Sequence, residues 1–326
     1  MPPRTVIVTA PEYNRAPGVF TSSADLTFVP VLPAEAEVSA AIREHHARHV
    51  VVGPTAYTGQ LYETLPRGGV LARYGVGHDG VDKALATAAG LLCTNTPGVL
   101  HQSVAELTML LILAAARHLP AADSAMREGR WAPKPGVQLE GKTLAIVGCG
   151  TIGQAVARIA SAGFGMRTIG IRRSTGTATA PADGFQATTG DYAGAVREAD
   201  YVSVHIPALP ENTHFIDRER LALLPERAWL VNTARGAVVD ETALYDAVAE
   251  KRIAGAALDV YAREPYEPID PSRDLRKLPD VVLLPHVGSN TADANRRMAE
   301  RAVGNIRLAE AGDFGAMDLL NPEVLR

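Results

Sequence analysis

The sequence predicts an α/β fold with two parallel β-sheets, and three observations support that prediction. Short apolar runs alternate with helical patterns along the whole chain, which is typical of βαβ units with parallel strands. A glycine-rich turn lies between a strand pattern and a helix pattern near the middle of the chain. The length of 326 residues is enough for two domains, each with its own hydrophobic core.

Composition excludes several classes of protein. The chain is 47% hydrophobic and 21% charged with a formal net charge of -4, so it lacks the basic balance of a nucleic-acid binder. Cys93 and Cys149 are its two cysteines, and their spacing favours free thiols in a reducing compartment. The longest apolar run, 107–116, is too short to span a bilayer, and the sequence starts without a signal-peptide pattern. We therefore expect a cytoplasmic protein that binds neither nucleic acid nor membrane.

The first hundred residues have the pattern of a sheet domain without a nucleotide fingerprint. Strands are predicted at 5–9, 27–31, 50–52, 70–73 and 91–94, with a helix at 34–48. A glycine-rich loop at 73–80 follows the fourth strand, and its exposed N–H groups could hold a small anion such as a carboxylate. A plain turn explains the same glycines equally well.

Histidines occupy positions 45, 46 and 49 at the end of that predicted helix. His45 and His49 would lie one helical turn apart, which is a spacing that metal sites use. Because no third ligand accompanies them, we expect a hydrated helix face and no metal site.

The central glycine-rich turn has the spacing of a dinucleotide-binding fingerprint. A strand pattern at 143–147 is followed by Gly148, Gly150 and Gly153 in G-x-G-x-x-G order and then by a helical pattern. The first glycine permits a tight turn, the second lets the backbone approach a pyrophosphate, and the third lets the helix pack against the strand. The pyrophosphate would meet free N–H groups at the positive end of the helix dipole. Strand and helix supply the context that the fingerprint needs, so we predict a Rossmann-like domain here.

The end of the next strand, at 167–171, is where such a domain selects its cofactor. An acidic residue there would bond the adenosine 2′-hydroxyl of NAD. This chain has Arg172, Arg173 and Ser174 instead, whose guanidinium and hydroxyl groups match a 2′-phosphate. Two surface arginines on a loop are the alternative. Their position directly after the strand favours NADP over NAD.

Three potentially reactive residues follow later strands of the same predicted sheet. Arg235 follows 229–233, Glu264 follows 256–260, and His286 follows 281–284. Ligands of an open parallel sheet bind beyond the carboxyl ends of its strands, so we expect these side chains to lie together. An arginine can clamp a carboxylate, a histidine can supply the proton that accompanies hydride transfer, and a nearby glutamate favours the protonated ring. Each residue alone could also be an ordinary loop or strand-end side chain.

Two further helices are predicted outside these blocks. The helix at 104–117, after a turn-rich link at 95–103, is apolar nearly all round, so it must be buried on more than one side. A domain crossover or a subunit interface would satisfy this. The helix at 292–311 carries four arginines with Glu300 and Glu310 among them, and we expect these side chains to form a solvated face.

The blocks at 232–241, 258–260 with 264–265, and 284–288 resemble the signature regions of the D-isomer-specific 2-hydroxyacid dehydrogenases. The segments 75–77 and 321–325 extend the resemblance over nearly the whole chain. It implies two Rossmann-like domains, a dinucleotide-binding domain at 102–289 inserted in a flavodoxin-like substrate domain formed by 1–101 and 290–326. Homodimers through the cofactor domain are usual in this family, which suits the apolar helix at 104–117.

The resemblance also implies roles for individual residues. Arg235, Glu264 and His286 would form the catalytic set, and the backbone amides of Val76 and Gly77 would help Arg235 hold the substrate carboxylate. Leu100, with Tyr74 and His101, is a candidate for the substrate pocket because these residues flank the implicated loops. The expected cofactor contacts are Gly148, Gly150, Thr151, Ile152, Gly153, Arg172, Arg173, Ser174, His205, Ile206, Pro207, Thr213, Thr233, Ala234, Asp259, His286 and Gly288.

These implications describe an NADP-dependent reductase of a small 2-keto acid. Hydride would reach the keto carbon while His286 donates a proton to the oxygen. Most relatives carry aspartate where this chain has Arg172, and relatives with arginine there often reduce glyoxylate or hydroxypyruvate, which are therefore the expected substrates. Two alternatives stay open: an NAD-dependent member with another substrate, and a nucleotide-sensing regulatory protein of the same fold.

Overall fold

The computed structural model describes residues 4–173 and 184–326, and the chain divides into two compact units. Unit 1 contains residues 1–100 and 289–326, and unit 2 contains residues 101–288. Each unit is built on one parallel β-sheet. The predicted α/β fold with two Rossmann-like parallel sheets is therefore confirmed.

The sheet of unit 1 has five strands in the order β2-β1-β3-β4-β5, which is the order of flavodoxin-like folds. The strands are β1 (Arg4–Thr9), β2 (Leu26–Val31), β3 (His49–Val52), β4 (Val70–Arg73) and β5 (Leu92–Thr94). Valine, isoleucine and leucine side chains of β1, β3, β4 and β5 are buried, as expected of a parallel sheet that helices cover on both faces, whereas Val29 and Val31 of the edge strand β2 are partly buried. Each strand was predicted from its apolar run.

Short helices connect the strands of unit 1. They are α1 (Ala10–Arg15), α2 (Pro17–Thr21), α3 (Glu35–Glu44), α4 (Gln60–Thr64) and α5 (Lys83–Ala88). Glu35 clamps the start of α4, because its carboxylate accepts the N–H groups of Thr58, Gly59 and Leu61.

The predicted hydrated helix face at the three histidines is wrong for His49. Helix α3 ends at Glu44, and His46 has a left-handed backbone with φ +50°, so the helical spacing is lost. His49 instead begins β3 and is completely buried. Its Nε2 lies 2.8 Å from a carboxylate oxygen of Glu310, and its Nδ1 accepts the N–H of Val70 at 3.1 Å.

The sheet of unit 2 has seven strands in the order β12-β11-β10-β9-β6-β7-β8. The strands are β6 (Thr143–Val147), β7 (Arg167–Ile171), β8 (Ala187–Thr189), β9 (Tyr201–Val204), β10 (Trp229–Asn232), β11 (Gly255–Leu258) and β12 (Val281–Leu283). The strand order reverses between β6 and β9, and ligands of such sheets bind at this switch point. The bounds of β6 and β7 agree with the prediction, whereas the edge strand β8 was not predicted.

Helices cover both faces of this sheet. They are α6 (His101–Ala116), α7 (Leu119–Arg127), α8 (Thr151–Phe164), α9 (Tyr192–Arg197), α10 (Arg218–Leu221) and α11 (Glu241–Ala249). Helix α6 is largely buried, as its composition predicted, but it begins at His101, so the predicted link through 103 is too long. Helix α7 was not predicted; Pro120 lies in its first turn, Ala125 is buried, and Leu119 and Met126 are exposed.

The chain returns to unit 1 in α12 (Ala292–Ala311), whose bounds agree with the prediction. Arg301 and Arg307 on this helix pair with Asp318 and Asp25, each at 2.6 Å. The predicted solvated face is wrong for Glu310, whose side chain is 12% exposed and bonds His49. Its partner lies on a strand distant in sequence, so the helical pattern alone gave no sign of it.

Within the described ranges no single helix is long and apolar enough to cross a membrane, although α6 and α7, bent by 65°, pass the same test as a pair. In those ranges no group of three or more His, Cys, Asp or Glu side chains is arranged to hold a metal ion. Cys93 and Cys149 are free thiols.

Candidate active site

The fingerprint glycines form a tight turn between β6 and α8. Gly148 has φ +107°, and a Cβ atom there would lie 2.5 Å from the carbonyl oxygen of His205. A Cβ at Gly153 would overlap the carbonyl oxygen of Gly148, so the helix could not approach the strand as closely. A Cβ at Gly150 would meet no atom within 4 Å, which leaves open space beside the backbone. The turn therefore has the shape that a pyrophosphate cradle needs.

The amino end of α8 supplies donors for that cradle. Gly150 is the N-cap residue, and among the described residues no side chain accepts a hydrogen bond from the first turn, which Thr151 and Ile152 begin. The first N–H groups of a helix have no partner within the helix and carry partial positive charge. The residues present thus fit the diphosphate of a nicotinamide dinucleotide.

The arginines after β7 lie at the neighbouring strand end. Arg172 is partly buried, and its N–H donates to the carbonyl of Thr189 at 3.0 Å. Arg173 is exposed and its guanidinium donates to Glu211 at 3.2 Å and to Asn212 at 3.1 Å. Ser174, the third residue expected to meet a 2′-phosphate, lies outside the described residues.

The loop after β9 carries four of the expected cofactor contacts, His205, Ile206, Pro207 and Thr213. The Nε2 of His205 lies 2.7 Å from the hydroxyl of Ser203, and burial lowers the pKa of His205 to about 3, so this ring is neutral. Asn212, which sequence reasoning missed, donates to the carbonyl of Pro207 at 2.8 Å and so holds the loop.

Arg235 lies at the end of β10 on a backbone that Asn232 shapes. The buried amide of Asn232 accepts the N–H of Ala234 and donates to the carbonyl of Arg235, each at 3.0 Å. The next residue, Gly236, begins a short 3-10 helix. The preceding Thr233 pairs its hydroxyl with that of Thr108 on α6 at 3.0 Å. These contacts fix the backbone from which the Arg235 guanidinium projects.

Glu264 and His286 form a hydrogen-bonded pair beyond β11 and β12. The Nδ1 of His286 lies 2.6 Å from Oε2 of Glu264, while Oε1 of Glu264 accepts the N–H of Tyr261 at 3.0 Å. Burial acts to raise the pKa of Glu264, but the hydrogen bonds from His286 and Tyr261 and the charges of His286 and Arg235 outweigh it and lower that pKa. The carboxylate is therefore ionised at neutral pH. The charge of Arg235 also acts on this carboxylate, so Arg235 lies within electrostatic range of Glu264.

Asp259 and the backbone around it orient His286. The buried carboxylate of Asp259 accepts the N–H groups of Val287 and Gly288, both at 2.8 Å, and its carbonyl accepts the N–H of His286 at 2.8 Å. Burial raises the pKa of Asp259, although these two amides oppose the change. The hydroxyl of Tyr261 donates to the carbonyl of Leu284 at 2.8 Å and adds a further tie to the same strand end.

The residues expected to help bind substrate in unit 1 follow β4 and β5. The Val76 carbonyl accepts from Asn95 at 2.8 Å, and within the described residues the N–H groups of Val76 and Gly77 have no hydrogen-bond acceptor. Leu100 and Tyr74 are largely buried, and the Tyr74 hydroxyl donates to the carbonyl of Asn295 at 2.6 Å. The amides are thus available to a ligand, while the Tyr74 ring belongs to the core of unit 1.

The cluster also contains residues that sequence reasoning did not single out. Asn232, Glu241 and Tyr261 lie in or beside the quoted blocks. The side chains of Asn232 and Glu241 bond the backbone at Arg235 and Ala262, and the N–H of Tyr261 donates to the Glu264 carboxylate. Their positions in the 232–241 block and after 258–260 were the available signal. Residue type alone does not distinguish polar residues that make such contacts from polar residues on the protein surface.

Comparison with known proteins agrees with this geometry. A model of the D-isomer specific 2-hydroxyacid dehydrogenase NAD binding domain matches residues 109–288. The glyoxylate reductase of Thermococcus litoralis is 40% identical over 275 residues, which cover 82% of this chain and 81% of the relative. The hydroxypyruvate reductase of Thermotoga maritima is 38% identical over 260 residues, which cover 79% of this chain and 82% of the relative.

A solved structure is similar to this one over nearly the full length of both chains. The NADPH-dependent glyoxylate/hydroxypyruvate reductase of Sinorhizobium meliloti, in complex with NADP and malonate, has a TM-score of 0.82 at 28% identity and covers 98% of both chains. The chain belongs to the D-isomer-specific 2-hydroxyacid dehydrogenase family and is an NAD(P)-dependent 2-hydroxyacid dehydrogenase.

Proposed function

We propose that the protein reduces a small 2-keto acid to the D-2-hydroxy acid, with His286 as the proton donor. One observation carries the proposal: the 2.6 Å hydrogen bond between His286 and Glu264, on whose carboxylate the charge of Arg235 also acts. A cation for the substrate carboxylate and an acid for the keto oxygen are the groups that this reduction needs. When bound at the fingerprint, the nicotinamide supplies the hydride.

Each side chain of the cluster has a separate role in this mechanism. Arg235 binds the substrate carboxylate and stabilises negative charge on the keto oxygen. His286 donates its proton from Nε2, because Glu264 holds Nδ1. Glu264 keeps the ring protonated until transfer, since an ionised carboxylate stabilises the imidazolium. That the amides of Val76 and Gly77 share the substrate carboxylate with Arg235 stays a prediction.

We propose NADP as the preferred cofactor, on the basis of Arg172 and Arg173. The guanidinium of Arg173 lies at the end of the second strand of unit 2 and is 70% exposed, so a 2′-phosphate could displace its contact with Glu211. Replacing Arg173 with alanine should raise the KM for NADPH about tenfold and leave the KM for NADH within about twofold, since a charge-assisted hydrogen bond contributes about 1.5–3 kcal/mol. Equal changes for both cofactors would contradict the proposal.

We propose glyoxylate or hydroxypyruvate as the substrate. The support is the similarity to relatives that carry these names, at 40% and 38% identity. A relative of the same identity is a D-3-phosphoglycerate dehydrogenase of Methanocaldococcus jannaschii, of whose length this chain covers 50%. The substrate test must therefore include phosphorylated as well as free keto acids.

The test is a panel of keto acids assayed with NADPH and NADH separately. Glyoxylate, hydroxypyruvate, its 3-phosphate, pyruvate and phenylpyruvate would be compared by kcat/KM. We expect turnover of glyoxylate or hydroxypyruvate with a preference for NADPH. Cofactor binding without turnover of any keto acid would contradict the proposed reaction and favour a nucleotide-sensing role.

We also propose that the protein is a homodimer through unit 2. Several large apolar side chains of α6, α7 and the segment after them are exposed, which is unusual for a monomer when they lie close in sequence. They are Leu110, Leu119, Met126, Trp131 and Val137, of which Trp131 is 84% exposed. Light scattering should give twice the chain mass of 34.5 kDa, and a Trp131→Glu variant should shift the protein toward monomer. A monomeric wild type would exclude this interface.

A further inference from the structure

A buried carboxylate without an assigned role lies behind the loop that carries Glu264. Glu241 is the first residue of α11 and is 8% exposed. Its Oε1 accepts the N–H of Ala262 at 2.5 Å, while its Oε2 is buried without a hydrogen-bond partner among the described residues. Burying a carboxylate oxygen without a partner is costly, because the oxygen loses its hydration. A side chain used only for packing would avoid that cost.

The Ala262 amide belongs to the same loop that orients Glu264. The preceding amide, the N–H of Tyr261, donates to Glu264 at 3.0 Å. The Tyr261 hydroxyl donates to the carbonyl of Leu284, two residues before His286. Holding the N–H of Ala262 therefore fixes the peptide unit next to the one that binds Glu264, and the loop has little freedom to move the carboxylate.

The segment 235–241 meets this loop at a second point. A Cβ atom at Gly236 would overlap the carbonyl group of Tyr261 and the nitrogen of Ala262, so the two backbones are in direct contact. The segment thus begins at Arg235, packs on the loop at Gly236, and bonds the loop at Glu241. One stretch of chain carries the proposed substrate clamp and also holds the loop of Glu264.

We propose that Glu241 is a positioning residue, which holds the Ala262 amide and thereby keeps Glu264 within hydrogen-bond reach of His286. Glu241 acts through the loop, because its own carboxylate is buried behind the backbone of Ala262. The proposal rests on the proposed function, since it takes Glu264 and His286 as the proton-donating pair.

Charges around Glu241 determine how its loss would act. The charged or titratable groups that face it are Asp240 at the start of its own helix and, from the loop, Tyr261, Arg263, Glu264 and Tyr266. Burial, with the neighbouring Glu264 charge adding to it, raises the pKa of Glu241, while the Ala262 amide opposes the change. The Glu264–His286 pair in turn faces Arg235 and Asp259.

The test compares pH profiles of keto-acid reduction with NADPH for wild type and Glu241→Ala. A loosened Glu264 stabilises the protonated His286 less well, so the alkaline limb of kcat/KM should move to lower pH. We expect kcat to fall about tenfold and KM to stay within about twofold, because Arg235 is untouched. Glu241→Gln retains an oxygen that can accept from the N–H of Ala262. The alkaline limb of its kcat/KM profile should therefore move less than half as far as that of Glu241→Ala.

Asp246 provides a matched control on the same helix. Its carboxylate binds Arg218 and Arg273, at 2.6 and 2.7 Å, and within the described residues it makes no hydrogen bond to the segment 261–264 that carries Glu264. Asp246→Ala removes the same charge and should leave the pH profile and kcat unchanged. An equal shift in Asp246→Ala, or a wild-type profile in folded Glu241→Ala, would overturn the proposal.

Two further variants separate the possible failures. If Glu241→Ala does not fold, as judged by circular dichroism, Glu241→Asp retains the charge but withdraws it from Ala262 by one methylene. A wild-type profile in folded Glu241→Asp would also overturn the proposal. If Glu264→Gln leaves the profile and kcat unchanged, the proposed function itself fails. If Glu264→Gln moves the limb and the Glu241 variants do not, only the positioning role fails.

Discussion

The chain contains a histidine–glutamate pair in each unit, with similar geometry and opposite surroundings. In unit 2 the two side chains are 2.6 Å apart, and His286 and Glu264 are 37% and 36% exposed. In unit 1 the distance is 2.8 Å, and His49 and Glu310 are 0% and 12% exposed. A histidine–glutamate hydrogen bond alone therefore does not distinguish a proton donor from a core contact.

The second ring nitrogen makes the distinction. His49 accepts the N–H of Val70 on Nδ1, so both nitrogens are engaged, and burial together with the charges of Arg48 and Arg4 lowers the pKa of His49 to about 4. His286 has no hydrogen bond on Nε2 within the described part of the chain. A half-exposed ring with one open nitrogen can exchange a proton with a ligand, whereas the buried neutral ring can only stabilise unit 1.

The largest expected difference between the pairs is in catalysis. His286→Ala should lower kcat for keto-acid reduction by about 10²–10⁴, because general acid catalysis contributes about that factor. His49→Ala, where it folds, should retain kcat within about threefold, since the ring lies in the core of unit 1. Steady-state assays with NADPH measure both, and near-normal turnover in His286→Ala would end the assignment of the proton donor.

The two alanine variants should rank in the opposite order for stability, with His49→Ala losing more free energy of unfolding than His286→Ala. His49→Ala should lower the free energy of unfolding by about 2–4 kcal/mol, since it opens a cavity, leaves the Val70 amide without its acceptor and removes one of the partners of Glu310, which also pairs with Arg4 and Arg48. His286→Ala should cost less than about 1 kcal/mol, because the ring is half-exposed. Urea unfolding of both variants tests this, and equal losses would show that burial does not separate the pairs.

The buried His49 should also make the free energy of unfolding depend on pH. The pKa of His49 is depressed to about 4 in the folded protein from 6.5, so the unfolded chain binds a proton more readily in this range. The free energy of unfolding of the wild type should therefore fall by about 2–3 kcal/mol as the pH drops from 6.5 to 4. His49→Gln should lack this part of the decrease. Parallel stability curves for wild type and variant would contradict a neutral buried His49.

Sequence reasoning predicted three reactive residues in unit 2 because each lies in the loop that follows an apolar strand. Arg235, Glu264 and His286 needed only the strand pattern and the rule that parallel strands end at one edge. The bounds of β6, β7 and α12 were equally accessible, because their apolar periodicity is regular and glycine ends α8 and α12.

The remaining features depend on contacts between distant parts of the chain. His49 bonds Glu310 across a sequence separation of 261 residues, so neither pattern could reveal that both are buried. The contact between Glu241 and Ala262 is set by how the segment 235–241 packs on the next loop, which spacing does not encode. Helix α7 was not predicted because its nine residues, with Pro120 in the first turn, give too short a pattern to separate from the neighbouring loop.

The exposed pair is proposed to supply the proton of the reaction. The pH profile of NADPH-dependent keto-acid reduction in wild type and His286→Gln tests this role most directly. Loss of the proton from His286 should produce an alkaline limb in kcat/KM for the wild type. In His286→Gln the residual rate should lose that limb and become independent of pH over the same range. An alkaline limb that persists unchanged in His286→Gln would contradict the role of His286 as proton donor, because the titrating acid would then be another group.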